Sequence, residues 1–428
     1  MSKVFEDIAC TMCGCVCDDL TLHIDDGQVT QADGSCQLSE PWLLSQSTTG
    51  SIAPQIDGKA ATQDEAVAQA AQILRTSQAP LIYGLSSSST PGQRAACRLA
   101  DKLGATIDTT ASTCHAPSIL AVQTVGESTS SLGEVRHRAD VVVYWGSNPL
   151  KSHPRHVERY VDAPGMFVPG GRSDRQVIVV DAHRTESAEI ADRFVQVDPG
   201  ADFDVLWALR AILKGVDFKE QSVGGVSREE LFALAESLKS CRYGAVFFGL
   251  GLTRHGVPQA NVEALLRLVT DLNHHTRCIA RRMRIPGDVA GADSVLCWQT
   301  GFPFSVNLSR GYPRYNPGEY TANNLLERRE VDAVLLVGSE GVSKLSPAAR
   351  EHLQSIPTVV LDNLGVDCPT DTAVHFTTAI YGINRPGTAY RMDEVPIPLR
   401  GVLESALPSD DEILKAISKA LQKSTAVL

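Results

Sequence analysis

The sequence predicts an α/β fold with mainly parallel sheets, preceded by a small β-rich segment. From about residue 61 onward, short Val-containing apolar runs alternate with helical patterns. The runs lack polar alternation, as expected of strands buried on both faces of a parallel sheet. The first 60 residues instead show period-two runs, which indicate antiparallel strands. The strand candidates beyond residue 61 are 81–84, 105–108, 141–144, 177–180, 246–249, 334–337 and 358–361.

Capping signals mark several helices between these strands. Thr62 to Glu65 forms a capping box in front of an Ala-rich amphipathic helix that ends near Arg75. The next helix is expected to start with Thr90 as N-cap and Pro91 at the first helical position. The remaining helix candidates are 202–214, 228–239, 258–272, 346–355 and 410–421.

The N-terminal segment is predicted to fold as a hairpin. Leu20 to Ile24 and Gln28 to Thr30 are joined by Asp25-Asp26-Gly27, a turn sequence suited to antiparallel strands. We therefore expect a small separate domain there, and the best loop candidate elsewhere is Pro164 to Ser173. The expected domains are 1–60, an α/β domain formed by 61–138 and 276–385, an inserted α/β domain at 139–275, and a C-terminal extension at 386–428.

Length and charge exclude several classes of protein. The 428 residues suggest two to four domains at roughly 100–200 residues each. With 39 basic and 50 acidic side chains and no long Lys/Arg cluster, the chain lacks the electrostatic footprint of a nucleic-acid binder. No stretch approaches the roughly 20 apolar residues that span a bilayer, and the N-terminus has no apolar signal core. We expect a cytoplasmic protein without membrane contact.

The strongest chemical signal is a cysteine cluster near the N-terminus. Cys10, Cys13 and Cys17 fall in one short loop, and Cys36 follows nineteen residues later. The eleven cysteines are odd in number and unevenly spread, which favours metal ligation over disulfides. Three thiolates in a tight loop with a remote fourth are typical of a [4Fe–4S] cluster, whereas structural zinc usually takes two Cys pairs. Zinc remains the alternative, and the spacing does not choose between Cys13 and Cys15.

A second signal is Cys114-His115, shortly after the strand candidate 105–108. A cysteine at the end of a strand is often only a buried small hydrophobe. Here the next residue, His115, has a side chain that titrates near neutral pH and suits proton transfer. No Lys or carboxylate lies within five residues of Cys114, which favours a dry pocket. The dipeptide alone leaves both interpretations open.

Two further candidates are loops that follow strands. Gly146, Ser147 and Asn148 follow the strand at 141–144, and Asp181 and Arg184 follow the strand at 177–180. Ligands of open α/β sheets bind beyond the carboxyl ends of strands, where Asp181 is placed to accept from ribose hydroxyls and Gly146 to allow close approach of a phosphate. No GxGxxG motif is present, which disfavours a simple NAD site. Turns that merely connect strands are the alternative.

The fourth feature is an Arg-rich stretch over residues 281–317, in which five arginines are interleaved with Gly, Pro and aromatic residues. Such a composition predicts a long irregular active-site wall rather than a helix face, with guanidinium groups available to bind anions in bidentate fashion. A basic surface loop is the alternative. The five arginines are Arg281, Arg282, Arg284, Arg310 and Arg314.

In this order the four features resemble the molybdopterin-dinucleotide oxidoreductases, and specifically the B-type subunit of tungsten- or molybdenum-containing formylmethanofuran dehydrogenase. The resemblance covers nearly the whole chain, and its most specific part is the last motif. It rests on CxxCxxxCDD at 10–19, Thr-Cys-His at 113–115, Gly-Ser-Asn-Pro at 146–149, Pro-Gly-Ala-Asp at 199–202, and the segment 299–318.

The resemblance implies cofactors and roles for individual residues. A [4Fe–4S] cluster would be bound by Cys10, Cys13, Cys17 and Cys36. Tungsten or molybdenum, held by molybdopterin guanine dinucleotides, would take Cys114 as its protein ligand. His115 and Arg284 would steer protons and bind formate, with Arg281 and Arg282 as alternatives to Arg284. Asn148 and Asp181 would bind phosphate and guanosine portions, and Gly146, Ser147 and Arg184 belong to the same loops.

The resemblance also implies a multisubunit complex. In the family, this type of chain interconverts carbon dioxide and formate, and a sister chain of amidohydrolase type couples formate to methanofuran. Related enzymes end in a β-barrel that caps the pterin, and this chain has no room for one, so a separate capping subunit is implied. The alternative is a non-redox scaffold in a formyltransferase/hydrolase complex, beside a formyltransferase-type subunit. The retained cysteines favour the redox subunit.

Overall fold

The computed structural model describes residues 2–285 and 287–423. Pro286, inside the predicted Arg-rich wall, lies outside the described residues, as do Met1 and residues 424–428 at the end of the predicted C-terminal extension. The strands are β1 (Lys3–Ile8), β2 (Leu20–Asp25), β3 (Gln28–Asp33), β4 (Gln55–Ile56), β5 (Lys59–Ala60), β6 (Pro80–Gly84), β7 (Thr106–Thr109), β8 (Val141–Trp145), β9 (Gln176–Asp181), β10 (Arg193–Gln196), β11 (Ser222–Val223), β12 (Val226–Ser227), β13 (Tyr243–Phe248), β14 (Arg277–Arg282), β15 (Val306–Asn307), β16 (Arg314–Tyr315), β17 (Ala333–Val337), β18 (Thr358–Asn363), β19 (Val374–Thr378), β20 (Gly387–Tyr390) and β21 (Pro396–Leu399). The α-helices are α1 (Glu40–Leu44), α2 (Gln63–Thr76), α3 (Thr90–Leu103), α4 (Ala116–Val125), α5 (Leu132–Arg138), α6 (Pro149–Ser152), α7 (Asp202–Leu213), α8 (Arg228–Ser240), α9 (Pro258–Leu272), α10 (Val289–Thr300), α11 (Ala322–Glu327), α12 (Pro347–Ser355) and α13 (Asp410–Lys423).

Contacts within the chain divide it into two compact units. Unit 1 is formed by residues 1–113 and 285–428, and unit 2 by residues 114–284. This division differs from the expected domain limits, because α4 packs on α9 and β14 pairs with β13, so residues 114–138 and 276–284 belong to unit 2. The limits at residues 60 and 385 stay predictions.

Unit 1 is built on a nine-stranded sheet in the order β16-β15-β7-β6-β17-β18-β19-β4-β5. The strands from β7 to β19 in this order are parallel, which confirms the expected parallel sheet. Helices cover both faces: α2, α3, α10 and α13 bury Ala66, Ala96, Ala292 and Ile413 on one, and α11 and α12 bury Leu325 and Leu353 on the other. The loops after β6, β17 and β18 therefore meet at one edge of the sheet.

The predicted N-terminal hairpin is confirmed as β2 and β3, and β1 adds a third antiparallel strand. Asp26 and Gly27 both have positive φ (46° and 79°), as a tight hairpin turn requires. The cysteine loop connects β1 to β2. It is anchored by the backbone bond from Met392 N–H to the Gly14 carbonyl (2.7 Å), and Val16 packs in an apolar cluster with Tyr381.

Unit 2 is built on a five-stranded, fully parallel sheet in the order β10-β9-β8-β13-β14. Its core contains Val143, Ile178, Leu209, Leu234 and Leu265 from strands and from α7, α8 and α9. The strand ends of β8, β9, β13 and β14 lie at one edge, where the order of the sheet places the loops at 146–148, 181–184, 249–253 and 283–284. No described helix of either unit combines the length and the hydropathy needed to cross a bilayer.

Two local predictions need correction. Ser89, with extended backbone, is the N-cap of α3 instead of Thr90, so Pro91 comes second in the helix, where its missing N–H still costs nothing. The prediction of an irregular active-site wall over residues 281–317 is wrong for much of that range. Arg281 and Arg282 end β14, and residues 289–300 form α10, which Asp288 caps by accepting from the Gly291 N–H at 3.0 Å.

Candidate metal and cofactor sites

The cysteine loop is compact and buried. Cys10, Cys13 and Cys17 are each 7 % exposed, and the Cys10 N–H donates to the Cys17 carbonyl at 2.8 Å, which closes the loop on itself. Burial raises the pKa of the Cys10 thiol to about 12, and the nearby thiols of Cys13 and Cys17 contribute in the same direction. Three cysteines of one short, closed loop are thus buried.

Ser39 links the remote cysteine to this loop. The Ser39 Oγ lies 3.5 Å from the Cys36 Sγ, and the same side chain hydrogen-bonds the Cys10 thiol and so lowers its pKa against the effect of burial. The predicted fourth ligand therefore lies beside the loop. Soft thiols on a short loop and one remote thiol fit the donor set of an iron–sulfur cluster.

Cys15 lies beside Cys13 in the interior. It is 1 % exposed, and its hydrogen bond to the Cys13 thiol is the largest influence on Cys13, whose pKa it lowers. Within the described parts of the chain, no three His, Cys, Asp or Glu side chains converge on a point suited to one metal ion.

Unit 1 also contains a cavity that the sequence patterns do not predict. It has a volume of about 340 Å³, within the range of ligand pockets. It lies at the carboxyl edge of the sheet, between the cysteine loop and the strand-end loops. Its lining includes Thr11 and Met12 of the cysteine loop, Ser86, Ser87 and Ser88 after β6, Gly287 and Asp288, Glu340 after β17, and 363–366 at the end of β18.

Two carboxyl groups in this cavity are held away from water. Glu340 hydrogen-bonds Ser86 and Ser87, and burial raises its pKa, while its Oε1 has no partner within the described chain. Burial raises the pKa of Asp288 to about 8 despite hydrogen bonds from Tyr390 N–H (2.6 Å) and Gln93 (3.0 Å). The cavity therefore presents buried polar groups suited to a polar heterocycle.

In unit 2, Cys114 and His115 form the turn that leads into α4. Cys114 is half-buried, and His115 is 4 % exposed at the N-cap position of the helix. Both line a small cavity together with Arg282 and with Phe248 and Gly249 at the end of β13. The structure thus brings the predicted metal ligand, its neighbouring imidazole and one arginine of the Arg-rich stretch to one place.

The three neighbouring arginines differ in their environments. The Arg281 Nη2 donates to the Ser130 carbonyl at 2.8 Å, and Arg282 forms an ion pair with Glu127 at 3.2 Å in which both side chains are under 10 % exposed. Arg284 is buried just beyond the end of β14 and does not line the small cavity of Cys114. Its carbonyl oxygen accepts a hydrogen bond from His153 at 2.8 Å.

The predicted dinucleotide loops lie at the strand ends as expected, but the structure gives a different reason for Gly146. This residue has φ of 55°, and a Cβ there would lie 2.6 Å from the Leu252 nitrogen. Gly146 is therefore needed for packing against the loop after β13, not only for approach of a phosphate. The Gly251 N–H donates to the Gly146 carbonyl at 2.9 Å.

Asn148, Asp181 and Arg184 lie at or just after the ends of β8 and β9. The Asn148 amide donates to Glu186 (2.5 Å) and accepts from Ser187 (2.6 Å). Asp181 ends β9 and accepts from the His183 N–H at 3.2 Å. Arg184 is exposed and lies over the Phe194 ring. Ser147 is buried beside them at 6 % exposure.

Two parallel α/β units and a buried cysteine loop define an α/β protein with cavities at the carboxyl edges of its sheets. Sequence comparison then identifies the family. The chain is 39 % identical over 434 residues to the B-type subunit of the tungsten-containing formylmethanofuran dehydrogenase 2 of Methanocaldococcus jannaschii, covering 99 % of this chain and 100 % of the relative. It is 36 % identical to the protein of the same name from Methanococcus maripaludis, with 98 % and 99 % covered. The chain belongs to the family of formylmethanofuran dehydrogenase B-type subunits.

Solved structures share the fold. A chain of the formyltransferase/hydrolase complex FhcABCD from Methylorubrum extorquens, crystallised with methylofuran, superposes with a TM-score of 0.74 at 23 % identity, covering 87 % of this chain and all of that one. Acetylene hydratase from Pelobacter acetylenicus superposes with a TM-score of 0.63 at 12 % identity, covering 98 % of this chain and 69 % of that one. No protein-family model matches the chain.

The residues of the unit 1 cavity do carry a usable signal in the sequence. Ser86 to Ser88 follow a strand and precede a capped helix, and Glu340 follows the strand at 333–337, so both occupy strand-end positions like Asn148 and Asp181. The strand-end rule, applied to every strand of unit 1, selects them. Asp288 lies within the Arg-rich stretch, whose composition does not reveal its role as a helix cap.

Proposed function

We propose that the chain is the redox subunit of a formylmethanofuran dehydrogenase, interconverting carbon dioxide and formate in the cytoplasm. The observation that carries this proposal is the full-length similarity to the B-type subunits of two tungsten-containing enzymes, combined with Cys114 and His115 lining one cavity. Membership of the family makes formate, formyl-methanofuran and carbon dioxide the substrates to test.

The cofactors proposed are one [4Fe–4S] cluster and a tungsten or molybdenum ion held by molybdopterin guanine dinucleotides. Cys10, Cys13, Cys17 and Cys36 would hold the cluster, in support of which Ser39 joins Cys36 to the buried loop. When bound, the metal–pterin group supplies two-electron redox chemistry and the cluster supplies one-electron transfer.

For the metal ion, we propose Cys114 as protein ligand. A thiolate is a soft ligand, and the half-buried Cys114 lines a small cavity in unit 2. His115, buried beside it, is placed to hold or pass a proton at an imidazole nitrogen.

Arg284 is proposed as the formate-binding guanidinium. Arg281 and Arg282 are the last two residues of β14. Arg284 comes after the strand end, on the edge where ligands of parallel sheets bind. A guanidinium can hold a small carboxylate through two parallel hydrogen bonds.

For the dinucleotides, Gly146, Ser147, Asn148, Asp181 and Arg184 remain the proposed contacts in unit 2. The 340 Å³ cavity of unit 1 is the proposed place of a pterin ring, because it adjoins the cysteine loop and presents Glu340 and the three serines after β6. A carboxyl group that is buried and incompletely paired is well suited to bind the N–H groups of such a ring.

The chain acts within a complex under this proposal. Partner chains would be an amidohydrolase-type subunit, a formyltransferase-type subunit and a subunit that caps the pterin. Similarity to a chain of FhcABCD supports a multisubunit assembly and also a second candidate function, that of a scaffold without cofactor. The two candidates differ in whether metal is bound.

Replacing Cys114 tests the first candidate. In the anaerobically purified complex, Cys114→Ser should lower bound tungsten or molybdenum sharply, because a serine oxygen is a poorer soft-metal ligand, while iron content stays unchanged. Elemental analysis measures both. Cys97→Ser is the matched control, since Cys97 is a buried thiol on α3 outside both cavities. Unchanged metal in Cys114→Ser would contradict the assignment.

A further inference from the structure

One histidine of unit 2 joins the end of β14 to the loop after β8. His153 is 1 % exposed and follows the short helix α6. Its Nε2 lies 2.8 Å from the carbonyl oxygen of Arg284. Because a carbonyl oxygen can only accept, the Nε2 carries the proton and donates it to Arg284.

The other ring nitrogen faces the loop that is predicted to bind a dinucleotide. The His153 Nδ1 lies 2.8 Å from the Ser152 Oγ, and the same hydroxyl lies 3.0 Å from the Asn148 carbonyl. Asn148 is in turn held by the Ser187 hydroxyl at 2.6 Å. The Ser152 hydroxyl has one proton, and the His153 Nδ1 and the Asn148 carbonyl both accept, so Ser152 donates to one of them at a time. Because it lies within hydrogen-bond distance of both, Ser152 holds the imidazole beside the Asn148 loop.

The imidazole is suited to hold one geometry. Burial lowers the pKa of His153 to about 4, so the ring is neutral near pH 7 and its tautomer is set by the Arg284 carbonyl. The neighbouring His156 is also fully buried with a pKa lowered to about 3, so this packing adds no positive charge beside Arg284. A neutral donor can fix the Arg284 backbone without repelling the guanidinium.

We infer that His153 is a positioning residue for Arg284, holding its backbone so that the guanidinium meets a small carboxylate substrate, and tying that position to the Asn148 loop. The inference rests on the proposed function through the role of Arg284. It assigns His153 no contact with substrate or metal.

The chain contains a closely matched control. In unit 1, His352 is also buried, with its Nε2 2.8 Å from the Val331 carbonyl and its Nδ1 3.2 Å from the Ser355 Oγ. The local hydrogen bonds are the same in kind, but they join α12 to the turn before β17, away from every proposed site residue. A substitution of His352 removes a buried imidazole without affecting Arg284, whereas a substitution of His153 does both.

The test compares His153→Leu, His153→Gln, His352→Leu, Arg284→Lys and the double variant His153→Leu/Arg284→Lys in the purified complex. His153→Leu should lower kcat/KM for formate by roughly 10- to 100-fold, mostly through KM, because misplacement of a binding group by about 1 Å has costs of this size. Glutamine can place an N–H near the Nε2 position, so His153→Gln should recover most of the loss. His352→Leu should leave the formate KM unchanged.

Two further results separate positioning from general stability. Because His153 acts through Arg284, the double variant should be no worse than Arg284→Lys alone, whereas independent effects would add. Amide hydrogen exchange in the peptide containing Arg284 should be faster in His153→Leu and restored in His153→Gln, with tungsten and iron contents kept. This exchange readout does not depend on activity.

Several outcomes would overturn the inference. An unchanged formate KM in His153→Leu, an additive double variant, or an equal effect in His352→Leu would each do so. If Arg284→Lys leaves formate turnover unchanged in an active complex, the role of Arg284 and that of His153 both fail, and the redox function stands. If the wild-type complex has neither tungsten nor molybdenum and no formate turnover, the proposed function itself fails.

Discussion

At the scale of single residues, burial and hydrogen bonding distinguish side chains that look alike in the sequence. Arg281 and Arg282 are neighbours in one strand, yet the first donates to a backbone carbonyl and the second pairs with Glu127. Cys13 and Cys15 are both buried and in contact, so exposure does not separate them. Substitution of single residues distinguishes the roles of such neighbouring side chains.

The choice between Cys13 and Cys15 is such a case. Cys13→Ser should remove most of the iron from the purified complex, because the proposed cluster loses one of four thiolates, and Cys15→Ser should retain it. Iron per chain and the visible absorption of the cluster measure the effect. The reverse result would move the ligand to Cys15, and full iron in both variants would contradict ligation by either.

At the scale of secondary structure, helix and strand ends place the polar groups that define the sites. Asp288 caps α10 and also accepts from Tyr390 in β20, so one carboxyl group joins two elements beside the unit 1 cavity. Gly146 directly follows β8, at a point where the loop after β13 leaves no space for a side chain. Both residues give measurable consequences.

The raised pKa of Asp288 should make the stability of the folded chain depend on pH. Its pKa is about 8 in the folded chain, whereas an unfolded aspartate ionises near 3.9. As the pH rises from about 4 to about 8, the unfolded chain loses a proton that the folded chain keeps. The free energy of unfolding therefore falls across this window. Above about pH 8 both states have lost the proton, and this contribution becomes constant. Asp288→Asn lacks this proton and should lose that part of the slope.

The thermal midpoint of the complex, measured from pH 5 to pH 8.5, checks this prediction. Asparagine is also a good N-cap, so α10 should keep its start in the variant. The difference in midpoint between Asp288→Asn and the wild type should shift in favour of the variant as the pH rises to 8. A constant difference would show that Asp288 does not titrate in this window.

Replacing Gly146 by alanine should lower stability by more than backbone strain alone would. Both Gly146 and Gly256 have positive φ (55° and 64°), but a Cβ at Gly256 meets nothing within 4 Å. Gly256→Ala should therefore cost about 1–2 kcal/mol, the usual penalty of a left-handed alanine. Gly146→Ala adds a clash with the Leu252 backbone and should lower the thermal midpoint clearly further. Equal midpoints would contradict the packing role.

At the scale of the whole molecule, the pattern of apolar strands is enough to predict the parallel α/β architecture. Runs such as 141–144 and 334–337 are apolar throughout, and such runs form the interior strands β8 and β17. β14 ends in Arg281 and Arg282 and contains no such run, so the sequence predicts a loop for its last residues. The strand is recognisable only from its pairing with β13.

The functional sites are likewise predictable from the sequence only where their residues lie close together in the chain. Cys10 to Cys17 and Cys114-His115 are close in sequence, so their patterns are visible directly. Ser86, Asp288 and Glu340 are separated by up to about 250 residues and meet only through the order of strands in unit 1. The strand-end positions of Ser86 and Glu340 can be read from the sequence, but the order of strands that brings them together cannot, which is why the cavity is apparent only in the structure.

Under the proposed function, this chain carries redox cofactors for formate chemistry. The most direct test is elemental analysis, with an ultraviolet–visible spectrum, of the wild-type complex purified without oxygen. We expect about four iron atoms per chain, as in one [4Fe–4S] cluster, together with tungsten or molybdenum. A complex that lacks both metals, yet still transfers or hydrolyses formyl groups, would contradict it and identify the chain as a scaffold.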